Sequence, residues 1–419
     1  MKVAHFSAGS AGTGGAEAAF RIHGECLKRG VDSTFWVADP FATGVNVRSL
    51  TRPFGLLGRL AQRLERRVDH ALLRQEAARL KCQVSTGLFG HNLARVVRRE
   101  RPQLAHLHFI GAGAVRLSSL AGLACPVVWR LSDMWPFCGV EQYTDDPSRY
   151  IEGYHQDNRP SALEGIDVGR WAWANKCRAY ARIKRLVVVT PSRWLADCAR
   201  SSRLFREREV RVIHTGCDAR VFSPRAPAAC RQVLDLPGDS LVVAAGATCL
   251  ANRWKGTDLL VETINRLAGF PLPGKLQLLL FGDDAGDIKR QVHCETHCLG
   301  GVKDKRLLAA TYGAADVFLA PSRMENLANT VLEAMACGTP CAAFRIGGMP
   351  DVIEHGVNGC LAVPFATDEL AAGIHAILLN RSLERRAAAR RKIESGFTVE
   401  EQGRQYLELY TSLLEGAVA

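Results

Sequence analysis

The stretch Pro321-Ser322-Arg323-Met324-Glu325-Asn326-Leu327-Ala328-Asn329-Thr330-Val331-Leu332-Glu333-Ala334-Met335-Ala336-Cys337-Gly338-Thr339-Pro340 decides how the rest of the chain is read. The run before it, Val317-Phe318-Leu319-Ala320, is continuously apolar, as a strand buried on both faces is. A helix is expected from near Asn329 to Gly338, where the glycine ends it and Thr339-Pro340 prevents its continuation. Cys341-Ala342-Ala343-Phe344 then resumes as strand, so the unit is strand, loop, helix, strand. Glu325 falls in the loop and Glu333 about two helical turns further on, roughly 12 Å along the axis. That is about the span from a sugar ring to the ribose of a nucleotide. Between the two acids lies a helix N-terminus, whose N–H groups and dipole suit a diphosphate. Two acids that accept hydrogen bonds from hydroxyls, with an anion site between them, describe a nucleotide-sugar pocket.

A chain of 419 residues exceeds one typical core and suggests two domains. With 47% hydrophobic and 23% charged residues it is globular rather than disordered. Met1-Lys2-Val3-Ala4-His5-Phe6 runs at once into a Gly-rich loop and is too short an apolar segment for a signal peptide. No apolar run approaches ~20 residues, so no membrane span is expected. The 14 cysteines are scattered singly through strand and helix patterns and read as reduced core thiols in the cytosol. The net charge of +12 is concentrated in part between Arg52 and Arg101. There Leu57, Leu60, Leu64, Val68 and Leu72 form an apolar stripe at helical spacing, flanked by Arg59, Arg63, Arg66, Arg67 and Arg74. Two readings fit: an amphipathic helix at an anionic membrane surface, or an ordinary domain helix with a solvated basic face. Nucleic-acid binding is not supported, since neither interleaved aromatics nor a nucleic-acid motif is present.

Val3 to Ser7 is the first expected strand. It is followed by the loop Ala8-Gly9-Ser10-Ala11-Gly12-Thr13-Gly14-Gly15-Ala16-Glu17 and a helix. A Gly-rich turn after the first strand is the phosphate or sugar site of a doubly wound sheet. Its spacing does not follow G-x-G-x-x-G, so NAD binding and hydride transfer are disfavoured. Pro102 to Phe109 and Pro126 to Asp133 are further strands, and ligands of open α/β sheets bind at their C-terminal edge. This makes Asp133, His106 and His108 candidates, with simple hydrogen-bonded strand-end histidines as the alternative for the last two. The polar stretch Cys138 to Arg170 suits acceptor recognition. The Pro- and Ala-rich stretch Pro224 to Ala229 is the expected linker. Domain boundaries are therefore placed at 1–223, with a C-terminal helix 399–419 returning to it, and at 224–398.

In the second half, Leu241 to Gly246 is a strand, followed by a loop to Arg253-Trp254-Lys255-Gly256. A cationic pair at a strand-to-helix loop suits a pyrophosphate leaving group, with Lys255 as a point charge. His293, Cys294, His297 and Cys298 invite a zinc reading, but the second pair belongs to an incoming strand, so the four do not face together. The alternation of strands and helices implies an α/β fold of two facing Rossmann-like doubly wound domains across a deep cleft.

Glu325 and Glu333, with Pro-Ser before them and Glu-Ala-Met-Ala-Cys-Gly-Thr-Pro after, resemble the Glu-x7-Glu signature of family 4 retaining glycosyltransferases, which have the GT-B fold. The likeness continues through Gly347-Gly348-Met349-Pro350-Asp351 and through Gly14-Gly15-Ala16-Glu17. Asp133-Met134-Trp135-Pro136-Phe137 and Asn326-Leu327-Ala328-Asn329-Thr330 give it the flavour of bacterial exopolysaccharide or colanic-acid-type enzymes. The resemblance implies an enzyme of the cytoplasm, free or peripheral on the inner membrane face, moving a sugar from a nucleoside-diphosphate sugar to a saccharide or lipid-linked acceptor. In it, Lys255 and Arg253 stabilise the departing diphosphate with the amides of Leu327 to Thr330. Glu325 orients the donor sugar, Glu333 holds the ribose and the loop ending at Val302 receives the base. Gly14 and Gly15 approach the phosphate, and the leaving phosphate itself accepts the acceptor's proton. Many relatives carry a His where this chain has Ser132, and Asp133 is ranked first to replace it. No Asp-x-Asp is present, so neither a metal nor another cofactor is expected. The competing readings are a nucleotide-sugar epimerase and a non-enzymatic nucleotide-sugar or glycan-binding module of the same fold.

Overall fold

The computed structural model describes residues 1–9, 14–38, 43–50, 55–80, 84–283 and 285–416, with backbone only at 55–59, 61, 62 and 66. The chain divides into two compact units, Met1–Ile213 with Gly403–Ala419, and His214–Gln402. The first holds β1 (Lys2–Ser7), β2 (Asp32–Val37), β3 (Val47–Ser49), β4 (Leu104–Leu107), β5 (Val127–Arg130), β6 (Leu186–Thr190) and β7 (Glu209–Val212). They form one parallel sheet in the order β3-β2-β1-β4-β5-β6-β7. The second unit holds β8 (Leu241–Cys249), β9 (Leu276–Asp283), β10 (Glu295–Cys298), β11 (Val317–Ala320), β12 (Cys341–Phe344) and β13 (Gly359–Ala362). Its order is β10-β9-β8-β11-β12-β13, again parallel. In each sheet the strand order reverses beside the unit's first strand, which is the doubly wound topology.

The continuous apolar runs explain why these strands sit inside. Along β8, Val242 and Ala244 enter one core while Leu241, Val243 and Ala245 enter the other, on the opposite face. A strand buried on both faces needs helices above and below it, and the crossover helices supply them. Near the C-terminus, the Val399–Glu415 helix delivers Tyr406, Leu409, Tyr410 and Leu413 into the first unit's core, beside Val3, Ile22, Leu104 and Val128.

The unit boundary falls at Ile213/His214, ahead of the proline-rich stretch, because the segment after it is stitched to the end of the second unit. The Cys217 N–H donates to the Phe397 carbonyl at 2.7 Å, and the Val399 N–H donates back to the Cys217 carbonyl at 3.1 Å. Backbone pairing of this kind outweighs the compositional signal of prolines. The basic helix expected around residues 57–74 spans Gly55–Leu80. Its Leu73 packs with Val140, Val168 and Ala172, but Leu60, Leu64 and Val68 on the expected stripe are exposed. The side chains of Leu57, Arg59 and Arg66, and residues 10–13 of the first loop, lie outside the described residues. Among the described residues no helix is long and apolar enough to cross a membrane.

The middle of the first sheet is unexpectedly polar. His5 and His106 are register partners on β1 and β4, and His108 follows two residues on. All three are buried, so the edge role considered for His106 and His108 gives way to a core role. His5 Nδ1 and His108 Nε2 are 3.0 Å apart, with ring centroids separated by 5.3 Å and planes within 9°. That separation is what two imidazole radii and one hydrogen bond add up to, so the rings meet edge to edge and share one proton. The three histidines also have the composition of a metal site, with one ring nitrogen of each within 4.8 Å of the others. His106 Nδ1 contacts the Tyr410 hydroxyl at 2.6 Å, and His23 Nδ1 contacts the Ser33 hydroxyl at 2.7 Å.

Burial holds His5, His106 and His108 well below the usual imidazole range, and neighbouring histidines and Arg130 push them the same way. A lowered folded pKa means stability that is present above the unfolded value of 6.5 and lost as pH falls. Three such groups contribute the uptake of about three protons to unfolding near pH 5.5, ~4 kcal/mol per pH unit of slope, set against the release of a proton by Asp133, whose carboxyl burial holds up to about 7. Of the tryptophans only Trp254 lies in the second unit, so tryptophan fluorescence follows the first. Denaturant titrations between about pH 5 and 7 should give His106→Gln a slope smaller than that of the wild type by ~1.4 kcal/mol per pH unit at most. An unchanged slope in that variant would refute the neutral buried cluster.

Candidate functional site

In the second unit a small, solvent-connected recess opens at the C-terminal ends of β8 and β11. Lys255, Glu325, Ala328 and Thr330 are among the residues that line it. This is the switch point of the sheet, where the order reverses from β8 to β11 and ligands of doubly wound folds bind. Lys255 Nζ donates to Glu325 Oε2 at 2.5 Å, with the Glu325 side chain 12% exposed and that of Lys255 33%. The two groups sit on different loops and are the centre of the site.

Their placement is a matter of backbone. Arg253–Lys255 forms one 3-10 turn, begun by Asn252, whose side chain accepts from the Trp254 N–H at 3.1 Å. The Arg323 N–H donates to the Trp254 carbonyl at 2.8 Å, tying this turn to the loop that leaves β11. Gly256 follows at φ 66°, and a Cβ there would lie 2.1 Å from the Pro321 carbonyl oxygen. On the other side Gly347, at φ 50°, would place a Cβ 1.7 Å from the Glu325 carbonyl oxygen. The Gly348 N–H donates to that same oxygen at 3.2 Å. The loop carrying Glu325 is thus held between two glycine turns.

The helix runs Asn329–Ala336, and its N-cap Ala328 offers no side-chain acceptor to the first turn. Its N-terminal end, with Ala328 and Thr330, faces the recess, so the dipole adds positive potential next to Lys255. Glu333 lies further along, largely buried, and accepts from the Tyr312 hydroxyl at 3.0 Å. Asn326 and Leu327 are buried in the loop between the two acids. Arg253 turns away onto the Trp254 ring, its guanidinium carbon 4.2 Å from the centroid. Val302 packs at the margin of the core, in the loop after β10, which the Gly282 N–H to Gly300 carbonyl bond of 2.7 Å pins beside the end of β9.

The remaining candidates sit in the first unit. Gly14 and Gly15 open the Gly14–Lys28 helix, and a Cβ on Gly15 would lie 3.5 Å from the Ser132 hydroxyl. Gly15 therefore abuts the segment that leaves β5. Asp133 is buried, and its Oδ1 accepts from the Trp135 N–H at 3.0 Å. Burial pushes its carboxyl up to about 7. Beside it, the Lys176 ammonium donates to the carbonyls of Trp135, Cys138 and Gly139 at 2.5, 2.9 and 2.7 Å. Three acceptors match its three protons, although burial lowers its pKa to about 7. Asp133 and Lys176 together fold the turn that leaves β5. Among the described residues, His293, Cys294, His297 and Cys298 form no metal-ligating group.

Three residues of this architecture are not evident from motif spacing: Tyr312, Gly347 as the seat of Glu325, and Lys176. A tyrosine among alanines and a glycine, Ala309-Ala310-Thr311-Tyr312-Gly313-Ala314, was the available signal for the first.

Comparison with known proteins bears on this recess directly. Residues 240–380, which contain it, match the family described as Glycosyl transferases group 1. A D-inositol 3-phosphate glycosyltransferase of Xylanimonas cellulosilytica is 34% identical over 36% of this chain and 39% of its own. The enzyme of that name from Geodermatophilus obscurus is 31% identical over 56% of this chain and 55% of its own. The chain thus spans between about two fifths and about half of these curated relatives. Among solved structures, sucrose-phosphate synthase of Thermosynechococcus elongatus superposes with a TM-score of 0.69 at 18% identity, covering 99% of both chains. HepE of Anabaena, solved with UDP and glucose, gives 0.67 at 18% identity over 98% of this chain and 100% of its own. At that identity the likeness is one of fold, and the fold is GT-B.

The seat of Glu325 is testable. Gly347→Ala places a Cβ on a left-handed residue, at ~1–2 kcal/mol, and against a carbonyl oxygen as well. A fall in thermal midpoint is expected, together with loss of any ligand response in the recess. A variant with unchanged midpoint and ligand response would refute the close approach.

Proposed function

We propose that the protein is a retaining glycosyltransferase using a nucleoside-diphosphate sugar. The observation that carries this reading is the Lys255–Glu325 pair at the sheet's switch point, beside the N-terminus of the helix that bears Glu333. A cation, a helix N-terminus and Glu325 in one recess, with Glu333 further along the same helix, match a diphosphate flanked by two sugars. The family match over this segment and the UDP and UDP-glucose complexes of HepE support the same donor class.

In this reading Glu325 accepts from hydroxyls of the donor sugar and Glu333 from the ribose. Lys255 and the amides of Leu327 to Thr330 face the diphosphate, with Arg253 as a second cation. The bond between the anomeric carbon and the phosphate oxygen breaks as the acceptor oxygen bonds to that carbon on the same face. The proton of the acceptor hydroxyl passes to the departing phosphate, so charge grows where Lys255 and the helix dipole already stand. The loop of Val302 lies at the base end. Gly14, Gly15 and Asp133 of the first unit are assigned to acceptor handling.

The acceptor is proposed to be a lipid-linked saccharide at the inner face of a membrane, in surface or extracellular polysaccharide synthesis. What supports this is the exposed apolar stripe Leu60, Leu64 and Val68 amid exposed Arg63, Arg67 and Arg74. An apolar face rimmed by arginines suits an anionic lipid surface. The inositol phosphate named in the curated relatives is the competing acceptor.

Thermal-shift screening with UDP-, GDP- and ADP-sugars should single out one base, since a ligand at ~100 times its dissociation constant adds about 2.7 kcal/mol. Lys255→Ala and Glu325→Ala should each lower transfer by ~100-fold or more, in the range seen when one preorganised charge partner is removed. Wild-type turnover in both would sink the assignment. Product formed from donor alone, seen by NMR, would favour an epimerase. Vesicles containing phosphatidylglycerol should retain the protein in sedimentation, and Leu60→Ser with Leu64→Ser should release it. Equal retention of that double variant would remove the membrane reading.

A further inference from the structure

Arg323 lies two residues before Glu325 and holds the Lys255 turn from both sides. Its N–H donates to the Trp254 carbonyl, just ahead of Lys255. Its guanidinium pairs with Asp258, in the first turn of the Thr257–Ala268 helix that follows Lys255. The same guanidinium stands over the Phe365 ring, 5.7 Å from its centroid, and that ring packs edge-on against Phe344 at the end of β12. Phe365 is the third residue of a turn closed by the Ala366 N–H to Val363 carbonyl bond of 3.1 Å, with Pro364 before it. Its φ is 70°, where this turn position ordinarily takes glycine or asparagine. A bulky residue is an outlier there, and with 47% of its surface exposed the ring is only partly accounted for by burial. Backbone strain of this kind collects at binding sites.

We infer that Arg323, seated on the face of Phe365, is a positioning residue for Lys255, an inference that rests on the reading of Lys255 as the diphosphate cation. The Asp258 side chain is 68% exposed, so its ion pair contributes little to folding. What the pair does is span Lys255, joining the loop of Glu325 to the helix on the far side of the lysine. Lys255 ends a 3-10 turn of three residues, so a small shift of that turn carries its Nζ with it. A long arginine side chain needs its direction fixed to act as such a strut. The aromatic face supplies this by cation–π attraction, without competing for the Asp258 oxygens. An acid in the first turn of a helix is favoured by the helix dipole alone. That accounts for Asp258, but neither for the arginine that reaches it nor for a phenylalanine held at a glycine-like φ.

The test is ligand-detected NMR titration with UDP, GDP and ADP, which follows dissociation constants from micromolar to millimolar. Arg323→Gln should weaken the nucleotide that binds wild type by about fivefold, the upper range for an exposed charge pair. Phe365→Leu keeps apolar bulk and loses the π face, so it should weaken binding about threefold, while Phe365→Tyr should match wild type. In the Lys255→Gln background Arg323→Gln should cost nothing further, and in the Arg323→Gln background neither should Phe365→Leu, because contacts that act in series are not additive. An undiminished loss from Arg323→Gln without Lys255 would mean that Arg323 meets the anion itself, and would overturn the inference. So would wild-type binding in Arg323→Gln, or equal losses in Phe365→Leu and Phe365→Tyr. If wild type binds none of the three nucleotides, or Lys255→Gln binds as well as wild type, the diphosphate reading of Lys255 fails and the inference falls with it.

Discussion

The carbonyl oxygens of Pro321 and Glu325 are approached so closely by Gly256 and Gly347 that no Cβ fits at either glycine. This double contact fixes the loop leaving β11, and the rest of the second unit's chemistry follows from it. Lys255 immediately precedes the first glycine and Glu325 carries the second carbonyl, so their 2.5 Å separation is set by main-chain packing. The helix after the loop then starts where β8 and β11 diverge, with its N-terminus toward the same recess. Charge, dipole and cavity coincide because a single backbone segment is clamped on both sides.

The two units share a winding but not an interior. In the second, both faces of the sheet bury almost wholly apolar cores, and polar groups cluster at one strand edge. In the first, neutral imidazoles lie at the centre of the sheet, and an ammonium is enclosed by three carbonyls beneath the turn after β5. Both devices hold backbone in place through directional bonds where shape-filling side chains would serve elsewhere. The imidazole rings bond side chain to side chain across β1 and β4, and Tyr410 brings the C-terminal helix into the same network.

Much of this was legible beforehand because parallel sheets write themselves as unbroken apolar runs. Val317–Ala320 and Leu241–Gly246 could be placed as interior strands without any structure, and with them the α/β alternation. Helix ends marked by chemistry were also readable, as at Gly338, which takes φ 76° just past Ala336. What could not be read depends on contacts distant in sequence. The Lys255–Glu325 bond joins residues 70 apart, and nothing local distinguishes it from two separate ligand groups. His106 and His108 alternate along a strand that ends at an edge, and only the pairing of β4 with β1 shows that they point inward. Pro224 looks like a hinge by composition, yet the chain is already bound to the second unit at Cys217. Tyr312 was hidden because a tyrosine in an alanine-rich helix ordinarily signals packing alone.

The ion pair in the recess also sets a tempo. Lys255 is neutralised by Glu325 across a short contact, so an anion that takes the ammonium must win it from an internal rival. Part of the attraction is spent on that exchange, which weakens holding in both directions of travel. The same carboxylate is in place to reclaim the cation, so exchange leaves no bare charge to shield. A pocket provisioned with its own counter-ion is suited to repeated exchange of an anionic ligand more than to tight storage.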